Sequence, residues 1–230
     1  MTEATQALII GSTGGIGRAL LEQVRASGRY DLVTGLSRSG SPAIEITKEA
    51  SIASAMEVVA GQGALRLVVI ATGFLHSSGI APEKANRQMS AQALAQAFAV
   101  NTIGPALVLK HVLPLLPRSG RSVVMALSAK VGSISDNRLG GWHSYRASKA
   151  ALNQIVRTCA IELARTHREA ILVGMHPGTV DTQLSRPFAR SGLDVQQPEG
   201  AAGAILAGLE RLTPSDSGGF FDRSGHRLPY

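Results

Sequence analysis

This 230-residue sequence predicts a doubly wound α/β fold, with a parallel sheet of about seven strands and helices on both faces. Three observations carry the prediction. Short apolar runs alternate with longer segments of helical periodicity, the mark of parallel strands joined by right-handed crossovers. The strongest run, LRLVVIAT at 65–72, is apolar through its centre instead of alternating, as a strand covered on both faces must be. A glycine cluster follows the first run directly.

Taken in order, QALII (6–10) is a buried strand ending in glycine, and IGRALLEQVRAS (16–27) is an amphipathic helix stopped by Gly28. DLVTGLS (31–37) reads as the second strand and PAIEI (42–46) as a short third, with a helix over 51–60 behind it. After the central strand at 65–72, a helical region runs from about Ser90 to Leu116. Pro105 should bend or break it, because a helix interior needs the amide that proline lacks. RSVVMALS (121–128) and AILVGMHP (170–177) are further strands. Helices are expected from Tyr145 to Thr166 and from Pro198 to Leu212, the latter running up to GGFFD. No repeat, low-complexity tract or linker divides the chain, so one domain over 1–230 is expected.

Composition narrows the function classes. Hydrophobic residues at 44% and charged residues at 17% exclude a disordered chain. The net charge is +7 and the pI about 10.2, but the basic residues are scattered and not interleaved with aromatics, so nucleic acid is not an expected partner. The single cysteine, Cys159, lies in an apolar helical pattern and excludes an internal disulfide. MTEATQALII has no signal-peptide pattern, and no apolar stretch reads as long enough to cross a bilayer, so a cytoplasmic protein without a membrane partner is expected.

In such folds ligands bind outside the carboxyl ends of the strands, so the residues just after each run matter most. After the first comes GSTGGIG: Gly11, Ser12, Thr13, Gly14, Gly15, Ile16 and Gly17. Glycines there let the backbone turn sharply and approach a pyrophosphate seated on the following helix N-terminus. This makes a Rossmann-type dinucleotide site the expectation. After the second strand, Ser37 and Arg38 stand where NAD would require a ribose-binding carboxylate. A hydroxyl and a guanidinium suit a 2′-phosphate, which favours NADP(H) over NAD(H). Ala71, Thr72 and Gly73 follow the central strand and leave room for adenosine, with His76 a candidate pocket residue. In GWHSYRASKAAL, Tyr145 and Lys149 lie one turn apart on a single helix face.

Together these residues resemble the short-chain dehydrogenase/reductase family, over essentially the whole chain. Gly11, Gly15 and Gly17 match its cofactor-loop glycines, and Ala71-Thr72-Gly73 stands at its Asn-Ala-Gly position. Asn101 in VNTIGP matches its helical asparagine, and Tyr145 and Lys149 match its Tyr-x-x-x-Lys pair. HPGTVDT (His176 to Thr182) matches the segment that holds the nicotinamide carboxamide, through Pro177, Gly178, Val180 and Thr182. PEKANRQM, the stretch around Tyr145 and the ending GGFFDRSGHRLP look like the C-factor-like and Sniffer-type carbonyl reductase branch.

The resemblance implies an NAD(P)-dependent oxidoreductase that reversibly reduces a small ketone or aldehyde, with Tyr145 as proton donor. Lys149 would lower the Tyr145 pKa and bind the nicotinamide ribose, and Asn101 would hold a water linking Lys149 to solvent. A serine hydroxyl would polarise the carbonyl. Anchored on the strand end that position is Ser128; anchored on VGSI it is Ala129; Ser133 is a third candidate. Ser128 is the residue expected. Residues 183–197 should form the substrate loop, where Arg186 and Arg190 would hold an acidic substrate or the cofactor, and Phe188 would pack on the substrate or anchor the loop. No metal is implied. The two long apolar helices pair into dimers and tetramers in relatives, which makes a homodimer or homotetramer the expectation. The alternative is a dinucleotide-binding signalling protein of C-factor type.

Overall fold

The computed structural model describes residues 3–188 and 194–230. Its strands are β1 (Thr5–Ile10), β2 (Leu32–Leu36), β3 (Ala64–Ile70), β4 (Ser122–Leu127), β5 (Ala170–His176), β6 (Thr179–Val180), β7 (Val195–Gln196) and β8 (Phe220–Asp222). Six of them form one sheet in the order β2-β1-β3-β4-β5-β8, every neighbouring pair parallel. β6 and β7 make a separate parallel pair.

Period-two side-chain alternation explains why the runs are apolar throughout. Leu8 and Ile10 of β1, with Val68 and Ile70 of β3, face one core; Ala7, Ile9, Leu67 and Val69 face the other. The first core is closed by helices α2 (Glu49–Val59), α4 (Gly104–Val112) and α5 (His143–Leu163), the second by α1 (Gly15–Ala26) and α6 (Pro198–Arg211). A fully buried leucine such as Leu8 contributes about 1.5–3 kcal/mol relative to exposure.

Two sequence expectations are corrected. Among the described residues the main sheet has six strands, not the expected seven or so, because 42–46 makes only an isolated bridge, Ser37 to Ala43, beside β2. Pro42 has no N–H to extend the ladder, and the chain turns away at Lys48, whose amide bonds to Glu45. Ile44 and Ile46 are still buried, so the run serves the core without being a strand.

The second correction concerns membrane-spanning length. Ala91–Leu115 is a continuous helical run of 25 residues containing an 18-residue window of mean hydropathy 1.3, sufficient by length and composition to cross a bilayer. Here Ala93, Ala97, Val108, Leu109 and Val112 spend its apolar character on the fold's interior. The run is irregular: α3 (Ala91–Phe98) passes through a π-helical turn at Ala99–Ile103 into α4. Pro105 is the physical cause, since it cannot donate to the Asn101 carbonyl and its ring crowds the preceding turn.

β1 lies at the switch point, with the chain passing first to β2 on one side and then to β3 on the other. The crevice at the carboxyl ends there is where a ligand of such a sheet binds.

Candidate active site

Gly11 leaves β1 with φ +85°, which favours glycine, and its amide bonds to the Leu36 carbonyl at 2.8 Å. The Ser12 amide and hydroxyl reach the same carbonyl at 3.1 Å each, pinning the loop to the end of β2. Gly17 is required by close approach, because a Cβ there would lie 2.2 Å from the Gly11 oxygen. A Cβ on Gly15 would lie 2.8 Å from Thr182 Cγ2, so the segment after β6 is laid against the first turn of α1. Gly14 caps α1 without a side-chain bond, and the first turn carries no acidic residue. Its amides are therefore open to an anion.

At the end of β2, Ser37 is buried and Arg38 exposed, and Ser37-Arg38-Ser39 holds no carboxylate. At the end of β3, the Ala71 amide bonds to Ile10, and Ala71 and Thr72 lie against Gly11. The Thr72 hydroxyl oxygen is buried without a partner, an acceptor and donor available to a ligand. Glycine cradle, open helix terminus, exposed guanidinium and unpartnered hydroxyl together fit a dinucleotide carrying a 2′-phosphate.

α5 begins at His143, two residues ahead of the expected start, so Tyr145 lies in its first turn. Lys149, one turn on, is only 2% exposed; its ammonium bonds to the Leu127 carbonyl at 2.7 Å and stands 5.9 Å from the Tyr145 ring centre. Burial pushes the Lys149 ammonium down to about 7 and the Tyr145 phenol up to about 12. Burial alone thus favours the neutral form of both groups. A further positive charge beside them is what would draw the phenol down.

Asn101 sits in the π-helical turn, and its side chain is fully committed. Oδ1 accepts from the Phe74 amide at 2.8 Å, while Nδ2 donates to the Phe74 carbonyl at 2.8 Å and the Ser148 hydroxyl at 3.0 Å. It clamps the loop after β3 to α5. A water serving Lys149 would need the Asn101 backbone carbonyl, which Pro105 leaves without its usual donor.

The Ser128 hydroxyl is 4% exposed and donates to Asn153 Oδ1 at 2.7 Å. To polarise a carbonyl it must leave that bond. Ser133 is 2% exposed and accepts from the Asp136 amide at 3.2 Å, and Ala129 is 9% exposed.

After β5, Gly178 turns with φ +84°, Val180 is buried in β6, and Thr182 reaches Ser185 at 3.1 Å through both its amide and its hydroxyl. Pro177 stands half-buried between β5 and β6. Arg186 is taken up by Asp181, Nε to Oδ1 at 2.6 Å; Arg190 lies outside the described residues. Phe188 meets His76 and Trp142 edge-on at 5.3 and 5.4 Å, and Trp142 meets Tyr145 at 6.2 Å. His76 also contacts the Gln183 carbonyl at 3.3 Å. This row of rings joins the loop after β3, the substrate loop and the start of α5.

Sequence reasoning assigned no role to Trp142 or Glu83. Trp142 precedes α5 in the left-handed region, φ 52° and ψ 41°, a conformation costing a bulky residue about 1–3 kcal/mol. Glu83 is 4% exposed. Burial raises its pKa, but hydrogen bonds from Ser144 and its own amide outweigh this and hold the carboxyl below its usual range.

The chain resembles known proteins in sequence and in fold. The sequence model of a family described as enoyl-(acyl carrier protein) reductase matches residues 15–204. The chain is 26% identical to the 1-hydroxy-2-glutathionyl-2-methyl-3-butene dehydrogenase of Rhodococcus sp. (strain AD45), over 97% of this chain and 98% of that protein. It is 34% identical to the C-signal protein of Myxococcus xanthus, over 60% of this chain and 78% of the other. Its fold matches an NADPH-bound carbonyl reductase from chicken fatty liver with a TM-score of 0.84, at 22% identity and 100% coverage of both chains.

Proposed function

The chain belongs to the short-chain dehydrogenase/reductase family, and on that premise we propose that it is a single-domain NADP(H)-dependent reductase of a small ketone or aldehyde. The observation that carries this reading is the Tyr145–Lys149 pair on one face of α5, with the buried Lys149 ammonium 5.9 Å from the half-buried Tyr145 ring. NADP(H) is favoured by Arg38 and by the absence of a carboxylate after β2, and the chicken carbonyl reductase is described as NADPH-bound.

The cofactor would be held by Gly11, Ser12, Thr13, Gly15, Ile16 and Gly17 at its pyrophosphate and by Ser37 and Arg38 at its 2′-phosphate. Ala71, Thr72 and Gly73 would hold its adenosine, and Pro177, Gly178, Val180 and Thr182 its carboxamide. When bound, it supplies a hydride, and in its oxidised form a positive ring. The Tyr145 phenol is protonated in the cofactor-free site, and Oη would give its proton to a carbonyl oxygen once neighbouring positive charge draws its pKa down. Lys149 in its protonated form would stabilise the resulting phenolate. Asn101 keeps the loop after β3 fixed to α5 beside this pair. The Ser128–Asn153 bond favours a supporting role for Ser128, with carbonyl polarisation left chiefly to Tyr145. Trp142 and Phe188 give the site an apolar wall, which suits a carbonyl with an apolar substituent. Ile103 and Ile161, exposed on the two long helical segments, support a homodimer or homotetramer.

The test is NADPH oxidation over a panel of carbonyls. Tyr145→Phe should lose about 10²–10⁴ of the rate while still binding NADPH. Undiminished turnover in Tyr145→Phe would sink the mechanism. NADPH binding without turnover of any carbonyl by the wild type would instead favour a signalling protein, a reading supported by Ala129 and by the likeness to C-signal.

A further inference from the structure

α5 opens under strain and without a cap of its own. Gly140, Gly141 and Trp142 all have positive φ, at 62°, 66° and 52°, and the Trp142 side chain makes no capping bond. Glu83, from a loop 61 residues upstream, supplies what is missing. Its carboxylate accepts from the Ser144 amide at 3.3 and 3.2 Å and from the Ser144 hydroxyl, and its backbone oxygen accepts from the Trp142 amide at 2.5 Å. A Cβ at Gly141 would lie 3.2 Å from that same oxygen. Arg146 braces the turn from within α5, donating to the Gly141 carbonyl at 2.9 Å and the Val131 carbonyl at 3.2 Å.

We propose that Glu83 is a positioning residue for the reaction, capping α5 from outside so that Trp142 and Tyr145 are held at the site. Three facts support this role over general packing. The carboxylate is spent on the helix turn that carries Tyr145 in its first residues. Trp142, held through its amide, is the residue whose ring touches both Tyr145 and Phe188. A left-handed tryptophan persists only where its surroundings over-determine it, and Glu83 and Arg146 do so from two sides. The inference gives PEKANRQM a physical task. It rests on the reading of Tyr145 as proton donor.

Trp142 is the only tryptophan in the chain, so intrinsic fluorescence reports on this turn without any turnover. The experiment compares wild type, Glu83→Ala and Glu83→Gln. Glutamine keeps an acceptor for the Ser144 amide and offers an N–H to its hydroxyl. Glu83→Ala should red-shift Trp142 emission and open it to acrylamide. A displacement of Tyr145 of about 1 Å should lower kcat about 10²-fold, with the NADPH Kd changed little. Glu83→Gln should restore most of both signals. Unchanged Trp142 fluorescence in a folded Glu83→Ala protein, or unchanged kcat in it, overturns the proposal. So does a loss of kcat matched by an equal loss of NADPH affinity, or a failure of glutamine to rescue. Wild-type protein that turns over no carbonyl defeats the reductase reading instead, and the Trp142 signal still decides the cap.

Discussion

Ser128→Ala separates a supporting serine from a polarising one. The hydroxyl it removes makes the 2.7 Å bond to Asn153 Oδ1, and Asn153 Nδ2 is already buried without a partner. The variant therefore leaves a buried amide with neither polar atom satisfied. Stranding a buried acceptor costs about 1–3 kcal/mol, which for a chain of this length lowers Tm by about 2–12 °C. Loss of a group that stabilises the developing oxyanion would instead cost about 10²–10³ in kcat. Thermal unfolding and NADPH-oxidation kinetics on the same preparation distinguish the two. The expected result is a clear fall in Tm with kcat reduced less than about tenfold. A loss of kcat of about 10²-fold or more at unchanged Tm would refute the reasoning. Ala129→Ser is the companion variant, and a gain in kcat there would place the polarising position one residue further on.

Lys149 gives the cofactor-free protein a distinctive pH dependence. Its pKa is about 7 when folded and about 10.4 when unfolded, so between those values the unfolded chain binds more protons and stability rises with pH. Urea unfolding from pH 7 to 9 should show that rise, and Lys149→Met should flatten it; parallel curves would contradict the buried amine. Arg38→Ala should weaken NADPH binding by about tenfold or more, the scale of a lost hydrogen bond to a charged group, and leave NADH unaffected. Equal weakening of both cofactors would remove Arg38 from the 2′-phosphate. Gly17→Ala drives a methyl to 2.2 Å from a backbone oxygen that cannot step aside. It should cost about 1–3 kcal/mol of stability and most NADPH affinity, and calorimetry showing native-like values for both would refute the close-approach reading.

The sequence by itself determined what repeats at short range. Strand and helix periods, the glycine loop, and the Tyr145–Lys149 spacing are local, because a helix or strand fixes the relative placement of residues a few positions apart. Even Pro105 announced an irregularity, though not that the irregularity is a π-helical turn bearing Asn101. Tertiary structure decided the partners. Ser128 is neighbour to Asn153, 25 residues on; Glu83 reaches Ser144 across 61; and Thr182 lies against Gly15. Residues 42–46 carry a strand-like sequence, yet they stop at a single bridge. A hydroxyl or carboxylate can satisfy its hydrogen bonds with many partners of like chemistry, and only the packing of distant elements selects among them. The chain's residue types therefore name its chemistry, while its packing decides which of those residues are free to perform it.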